Sequence, residues 1–129
     1  MSGVRSVLTK NIILVEDDER LQTILARSLS KRGHTVQSAR FGAEARQLMA
    51  SRMPGVLILD INLPDETGWE ILRWLREQPG AHPRVIMLTA FRPPQTRIAD
   101  LAPDAILTKP FPIDALTRLV EEETIEAAD

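Results

Sequence analysis

The chain has 129 residues, 43% of them hydrophobic, no cysteine and a formal net charge of −2, which is apolar material enough for the core of one compact domain. Without cysteine it has neither a disulfide framework nor a thiolate metal site, and no run approaches the roughly 18 apolar residues of a membrane span. The arginines are scattered and not gathered in one block or on one helix face, which argues against direct nucleic-acid binding, and MSGVRSVLTK lacks the apolar core of a signal peptide, so the expected location is cytoplasmic with no membrane partner.

Residues 1–10 read as a flexible lead. Ile12–Val15 is a continuous apolar run, as a strand buried on both faces must be. Glu19–Arg32 follows with Leu21, Ile24, Leu25 and Leu29 at helical spacing and Gly33 as its stop. His34–Ala39 is a weaker strand, Ala43–Ser51 a second helix, and Val56–Ile61 a second strongly apolar strand. Thr67–Gln78 places Ile71, Leu72 and Leu75 on one helical face. Val85–Leu88 and Ala105–Leu107 are further buried strands. The crossover between them carries Pro93 and Pro94, which leaves only Gln95–Leu101 for a turn or two of helix before Pro103. Ile113–Thr124 is the last helix, with Leu116, Leu119 and Val120 inward, and residues 124–129 form an acidic tail. The alternation predicts an α/β domain over residues 11–123: a doubly wound five-stranded parallel sheet with helices on both faces and a short or irregular fourth helix. His34 and His82 lie far apart, each beside a turn former, and read as surface or loop histidines with no metal role.

In open parallel sheets ligands bind beyond the carboxyl ends of the strands. Polar residues finish otherwise apolar strands here: Glu16, Asp17 and Asp18 the first, Asp60 the third, Thr89 the fourth and Lys109 the fifth. Glu16–Asp18 also suits simple capping of the following helix. Asp60 is less easily explained, because an aspartate inside the run Val56–Leu63 is disfavoured in a strand and costly when buried. Carboxylates brought together repel unless a cation compensates, and Mg²⁺, which takes oxygen ligands and keeps several waters, fits the set. One carboxylate then becomes a candidate nucleophile toward phosphorus, with Thr89 and Lys109 stabilising charge.

The motifs VEDDE (Val15–Glu19), LILDINLPDETG (Leu57–Gly68), MLTA (Met87–Ala90) and TKPF (Thr108–Phe111) together resemble the response-regulator receiver domain of two-component signalling, over roughly Asn11 to Glu122. The resemblance implies a flavodoxin-like strand order 2-1-3-4-5 and a phosphoryl transfer from phosphohistidine to Asp60. It implies Mg²⁺ on Asp17 and Asp60, on Glu16 through water and on the backbone carbonyl of Asn62. Thr89 is then the switch hydroxyl, Lys109 the cation on acceptor and phosphoryl group, and the Lys109–Pro110 bond cis. Implied partners are a sensor histidine kinase or histidine phosphotransfer protein, docking on the first helix around Leu21, Gln22 and Leu25, and a downstream protein target.

The sequence departs from the family pattern in three places. Ile106 stands where a tyrosine or phenylalanine usually couples to the switch threonine, Pro93–Pro94 alter the fourth helix, and Phe91 stands where a polar residue often orients the hydrolytic water. Two other readings compete. A receiver-like interaction module that no longer uses phosphorylation would explain Ile106 and the prolines. A haloacid-dehalogenase-like phosphatase would need a second acid at position 62, where Asn62 cannot transfer a proton in that way.

Overall fold

A computed structural model describes residues 9–122 of the chain. Ten elements alternate strictly: β1 (Asn11–Val15), α1 (Glu19–Lys31), β2 (Thr35–Ala39), α2 (Gly42–Ser51), β3 (Val56–Asp60), α3 (Gly68–Arg76), β4 (Arg84–Thr89), α4 (Gln95–Leu101), β5 (Ala105–Thr108) and α5 (Ile113–Glu121). The strands form one parallel sheet in the order β2-β1-β3-β4-β5, the order that the resemblance implies. Most of the expected lead (1–8) and the tail (124–129) lie outside the described residues, as do the last two residues of the expected fifth helix. Lys10 is tied in by its carbonyl, which accepts the Thr35 amide at 3.0 Å.

The two faces of the sheet separate by strand periodicity. Ile13, Val15, Leu57, Leu59, Val85 and Met87 pack under α2, α3 and α4 with Met49, Ile71, Leu72, Leu75 and Leu101. Ile12, Leu14, Val56, Ile58, Ile86 and Leu88 pack under α1 and α5 with Leu25, Leu29, Leu116 and Val120. All five residues of β3 are buried, as its apolar run requires of the central strand. β2 is an edge strand and mostly exposed, which is why its sequence carries the weakest strand signal.

Local chemistry fixes the helix ends. Asp18 caps α1, its carboxylate accepting the Leu21 amide at 3.1 Å, and Gly33 beyond the helix has φ 94. Thr67 and Glu70 form a reciprocal capping box on α3. Phe41 precedes α2 and has no side-chain acceptor; the free amides of Gly42 and Ala43 are instead taken by Asp65, at 2.8 and 3.1 Å. Helix α4 spans Gln95–Leu101, bounded by Pro94 and by Ala102 at φ 46. One expectation is overturned. His34 is buried, with Nδ1 accepting the Lys10 amide at 3.1 Å and Nε2 bonded to Glu121 at 2.8 Å, so it is a structural clasp and not a surface histidine. His82 is exposed.

Candidate functional site

Strand register assembles the site. Val15 pairs with Leu59, so Glu16 stands opposite Asp60 as the two strands end; Thr89 pairs with Thr108, which brings in Lys109 as the next residue. The Lys109 ammonium donates to Asp60 at 2.5 Å and to Glu16 at 2.8 Å. The other Asp60 oxygen accepts the Asn62 amide at 2.8 Å. Asp60 and Glu16 are both buried, 4% and 0% exposed, while Asp17 is half-buried. Glu16, Asp17 and Asp60 each offer an oxygen within 4.8 Å of the others.

Electrostatics follow from that crowding. Burial pushes the Glu16 carboxyl up to about 7; the Lys109 hydrogen bond pulls it down, and the neighbouring Asp60 pushes it up again. Burial works against the Lys109 charge, but its hydrogen bonds to Asp60 and Glu16 outweigh that and hold its pKa above the ordinary lysine value. Three carboxylates therefore face one ammonium. The set is all oxygen, short of positive charge and close enough to share one ion, which fits Mg²⁺.

The acidic run at the end of β1 divides its work. Asp18 is spent on capping α1, and its own amide donates to Glu16 at 3.1 Å, so only Glu16 and Asp17 join Asp60. Gln22 also serves this end of the sheet: its amide nitrogen donates to the carbonyls of Glu16 and Ala39, at 3.0 and 3.1 Å. The expected docking region around Leu21, Gln22 and Leu25 adjoins this rim, but Gln22 reaches inward and Leu25, part of the helix's apolar spacing, is fully buried. The outward residues beside Lys109 are Arg20, Leu21, Ile24 and Phe111, which line a shallow groove of about 500 Å³.

The loop from Ile61 to Thr67 is held at both ends. Gly68 donates to the Ile61 carbonyl at 2.7 Å, and a Cβ on it would meet the Asp60 carbonyl at 2.6 Å, so helix α3 reaches the acceptor strand only because position 68 is glycine. Asp65 reaches α2 as described, and Glu66 pairs with Arg46. Neither Asp65 nor Glu66 was legible as a site residue, since their partners lie about twenty positions away.

Thr89 is buried at the end of β4 and makes no bond to Asp60. Its hydroxyl donates to the Phe91 carbonyl at 2.7 Å and accepts the Phe91 amide at 3.2 Å. The Phe91 ring is 83% exposed, beside Asn62 and Thr89. Ile106 is half-buried against the α3–α4 side of the sheet. The Lys109–Pro110 bond is cis.

The family model for the response regulator receiver domain matches residues 12–121. Among curated relatives, response regulator MprA of Mycobacterium ulcerans is 37% identical over 95% of this chain and 56% of its own length. Transcriptional regulatory protein GltR of Pseudomonas aeruginosa is 38% identical over 85% of this chain and 47% of its own length, so the chain spans about half the length of the curated relatives it matches. The non-phosphorylated HemR receiver domain of Leptospira biflexa superposes with a TM-score of 0.78, at 27% identity, over 90% of this chain and 98% of that one.

Proposed function

The chain belongs to the response regulator receiver domain family, and from that premise we propose that residues 11–123 accept a phosphoryl group on Asp60 and pass the change of state to a protein partner. One observation carries the reading: a buried aspartate ends the central strand with a lysine on one oxygen at 2.5 Å, a backbone amide on the other at 2.8 Å and two further carboxylates within 4.8 Å. An isolated carboxylate so buried is expensive, and here each of its oxygens has a donor, the Asn62 amide on one and the Lys109 ammonium on the other.

In the transfer, an Asp60 oxygen bonds to phosphorus as the phosphorus–nitrogen bond of a phosphohistidine breaks; the donor imidazole leaves with the electron pair and takes up a proton, and Asp60 becomes an acyl phosphate. Asp17 and Asp60, with Glu16 through water and the Asn62 carbonyl, would hold Mg²⁺, which when bound neutralises charge on the phosphoryl oxygens. Lys109 sits within reach of the same oxygens. Thr89 would join them once released from Phe91.

The donor is a sensor histidine kinase or a histidine phosphotransfer protein. The apolar groove at Arg20, Leu21, Ile24 and Phe111 adjoins Lys109 and suits a helical partner that must deliver its histidine to this rim. The downstream target is a protein, and this domain makes no direct contact with nucleic acid or membrane; among the described residues no helix is long and apolar enough to cross a membrane. A cytoplasmic location goes with that role. The domain accepts phosphate as a signal and turns over no external substrate. A haloacid-dehalogenase-like phosphatase remains without its second acid at Asn62.

Incubation with acetyl phosphate and Mg²⁺, followed by intact mass, tests the reading. The chain should gain one phosphoryl group and Asp60→Asn should gain none. Labelling of that variant as fully as the parent would refute the assignment, and no labelling of the parent by acetyl phosphate or by any phosphorylated kinase would favour the phosphorylation-independent module.

A further inference from the structure

A second groove, of about 360 Å³, opens beside the carboxylate centre between α3 and the β4–α4 connection. Asn62 and Thr89 line it together with Trp69, the Phe91–Pro94 segment and Arg97. Its apolar part is unusual for a surface. Phe91, at 83% exposure, is far more open than the other exposed large apolar residues, Ile24, Phe41 and Ile113, at 48%, 40% and 36%. Pro93 and Pro94 stiffen the wall, so little conformational entropy would be lost on binding against it.

The groove is also positively charged. Arg92 and Arg97 line it, and no carboxylate does. The Arg97 guanidinium lies 5.6 Å from the centre of the Trp69 ring, which holds the charge at the groove. Among the described residues neither arginine has an ion pair or a side-chain hydrogen bond, in contrast to Arg32, Arg46 and Arg84, each paired with a glutamate.

Thr89 connects the groove to the acceptor. Its hydroxyl clasps Phe91 through two bonds, to the carbonyl and from the amide. If the hydroxyl turns to a phosphoryl group on Asp60, both bonds are lost and the segment that forms the groove wall is freed. Whatever binds that wall in one position must therefore bias Thr89, and the state of Asp60 must bias binding in return.

We propose that this groove docks an acidic segment of a protein partner, an apolar side chain lying on Phe91 and Trp69 and carboxylates meeting Arg92 and Arg97, and that its affinity depends on whether Asp60 is phosphorylated. Only the second half rests on the phosphoacceptor reading. A peptide fits the charge pattern better than a nucleic acid, because the carboxylates of Glu16, Asp17 and Asp60 lie close by and would repel a polyphosphate along its length, whereas a peptide can confine its negative charges to the two arginines.

Selection of a random peptide library on the full chain, followed by anisotropy titration of the enriched peptides, tests this. Enriched sequences should combine Asp or Glu with a large apolar residue. The double substitution Arg92→Ala and Arg97→Ala should weaken them at least about tenfold (about 1.4 kcal/mol) while leaving circular dichroism and Asp60 labelling by acetyl phosphate intact. Phosphorylation of the parent should shift peptide affinity. Absence of acidic enrichment, full affinity in the double variant, or competition by an oligonucleotide at equal strength would overturn the docking surface. Arginine-dependent peptide binding with no labelling of Asp60 would leave the surface standing and remove the phosphoacceptor reading; labelling without any shift in affinity would remove the coupling alone.

Discussion

The Asp65 carboxylate accepts the Gly42 amide at 2.8 Å, so α2 is capped by the loop that follows Asp60 and not by a neighbour in sequence. The contact works in both directions: it satisfies two free helix amides, and it anchors the loop that presents Asn62 beside the acceptor. Asp65→Ala is expected to lower the melting temperature and to weaken Mg²⁺ binding, the latter because Asn62 loses its fixed position. Asp65→Asn keeps one acceptor oxygen and should recover most of both. Circular dichroism melts and a tryptophan-fluorescence titration with Mg²⁺ separate the effects; unchanged Mg²⁺ affinity in the alanine variant would mean that the loop is positioned without this tie.

Lys109 is the one ammonium shared by Asp60 and Glu16, and its side chain is about a quarter exposed. Removing one partner of a fully buried ion pair costs about 3–5 kcal/mol, and partial solvation reduces this, so Lys109→Met should destabilise the metal-free chain by about 1–3 kcal/mol. Added Mg²⁺ should return part of the loss, since it replaces the missing charge. Urea denaturation with and without Mg²⁺ measures both; an equal loss under the two conditions would show that the ion does not enter this carboxylate set.

At the opposite end of the sheet, Glu121 ties α5 to Arg32, at the end of α1, and to His34. The Arg32 hydrogen bonds hold its carboxyl below the usual glutamate range, against the effect of burial and with help from His34. A folded pKa below the unfolded one means that this contribution is complete above the unfolded value, near 4.3, and is lost as pH falls through the folded value. Stability should therefore fall more steeply below about pH 4.5 in the parent than in Glu121→Gln. Denaturant midpoints between pH 3 and pH 6 give the two slopes; parallel curves would show that the pair adds nothing.

The strands were legible because β1, β3 and β4 are buried on both faces and read as unbroken apolar runs, and α4 because Pro94 and Pro103 bracket it. The strand-end acids were legible as a set. Their division was not legible from residue type, since Glu16, Asp17 and Asp18 are alike; the family resemblance singled out Glu16 and Asp17, and the path of the backbone sends Asp18 to the Leu21 amide and the other two toward Asp60. His34 looked like a turn residue because its partner Glu121 is 87 positions away. Gln22, named with Leu21 and Leu25 in the expected docking region, turns toward the sheet instead, since helical periodicity alone does not tell which polar side chain will curl back to a strand-end carbonyl.

The lifetime of the phosphorylated form should depend on Phe91. Hydrolysis needs a water in line with the phosphorus–oxygen bond, and a neighbouring polar side chain lowers the barrier by orienting it. Here the ring of Phe91 lies beside Asn62 and Thr89 at the mouth of the site, 83% exposed, and offers no hydrogen bond. At that exposure the ring packs neither down among the prolines nor over the carboxylates. Among the described residues lining this groove, Asn62 is then the side chain free to accept a hydrogen bond from the water, because Arg92 and Arg97 can only donate and the Thr89 hydroxyl is committed first to Phe91 and, after the switch, to the phosphoryl group. Phosphate loss should accordingly be slow, and Phe91→Glu should speed it about tenfold, a barrier change of about 1.4 kcal/mol. Phe91→Ala distinguishes the two ways in which the ring could act: if it shields the phosphoryl group, alanine alone gives part of the acceleration, and if it merely fails to orient water, alanine behaves as the parent does. The decay of the phosphorylated mass with time in Mg²⁺ reads all three rates, and a glutamate variant that decays no faster than the parent would mean that position 91 does not reach the attacking water.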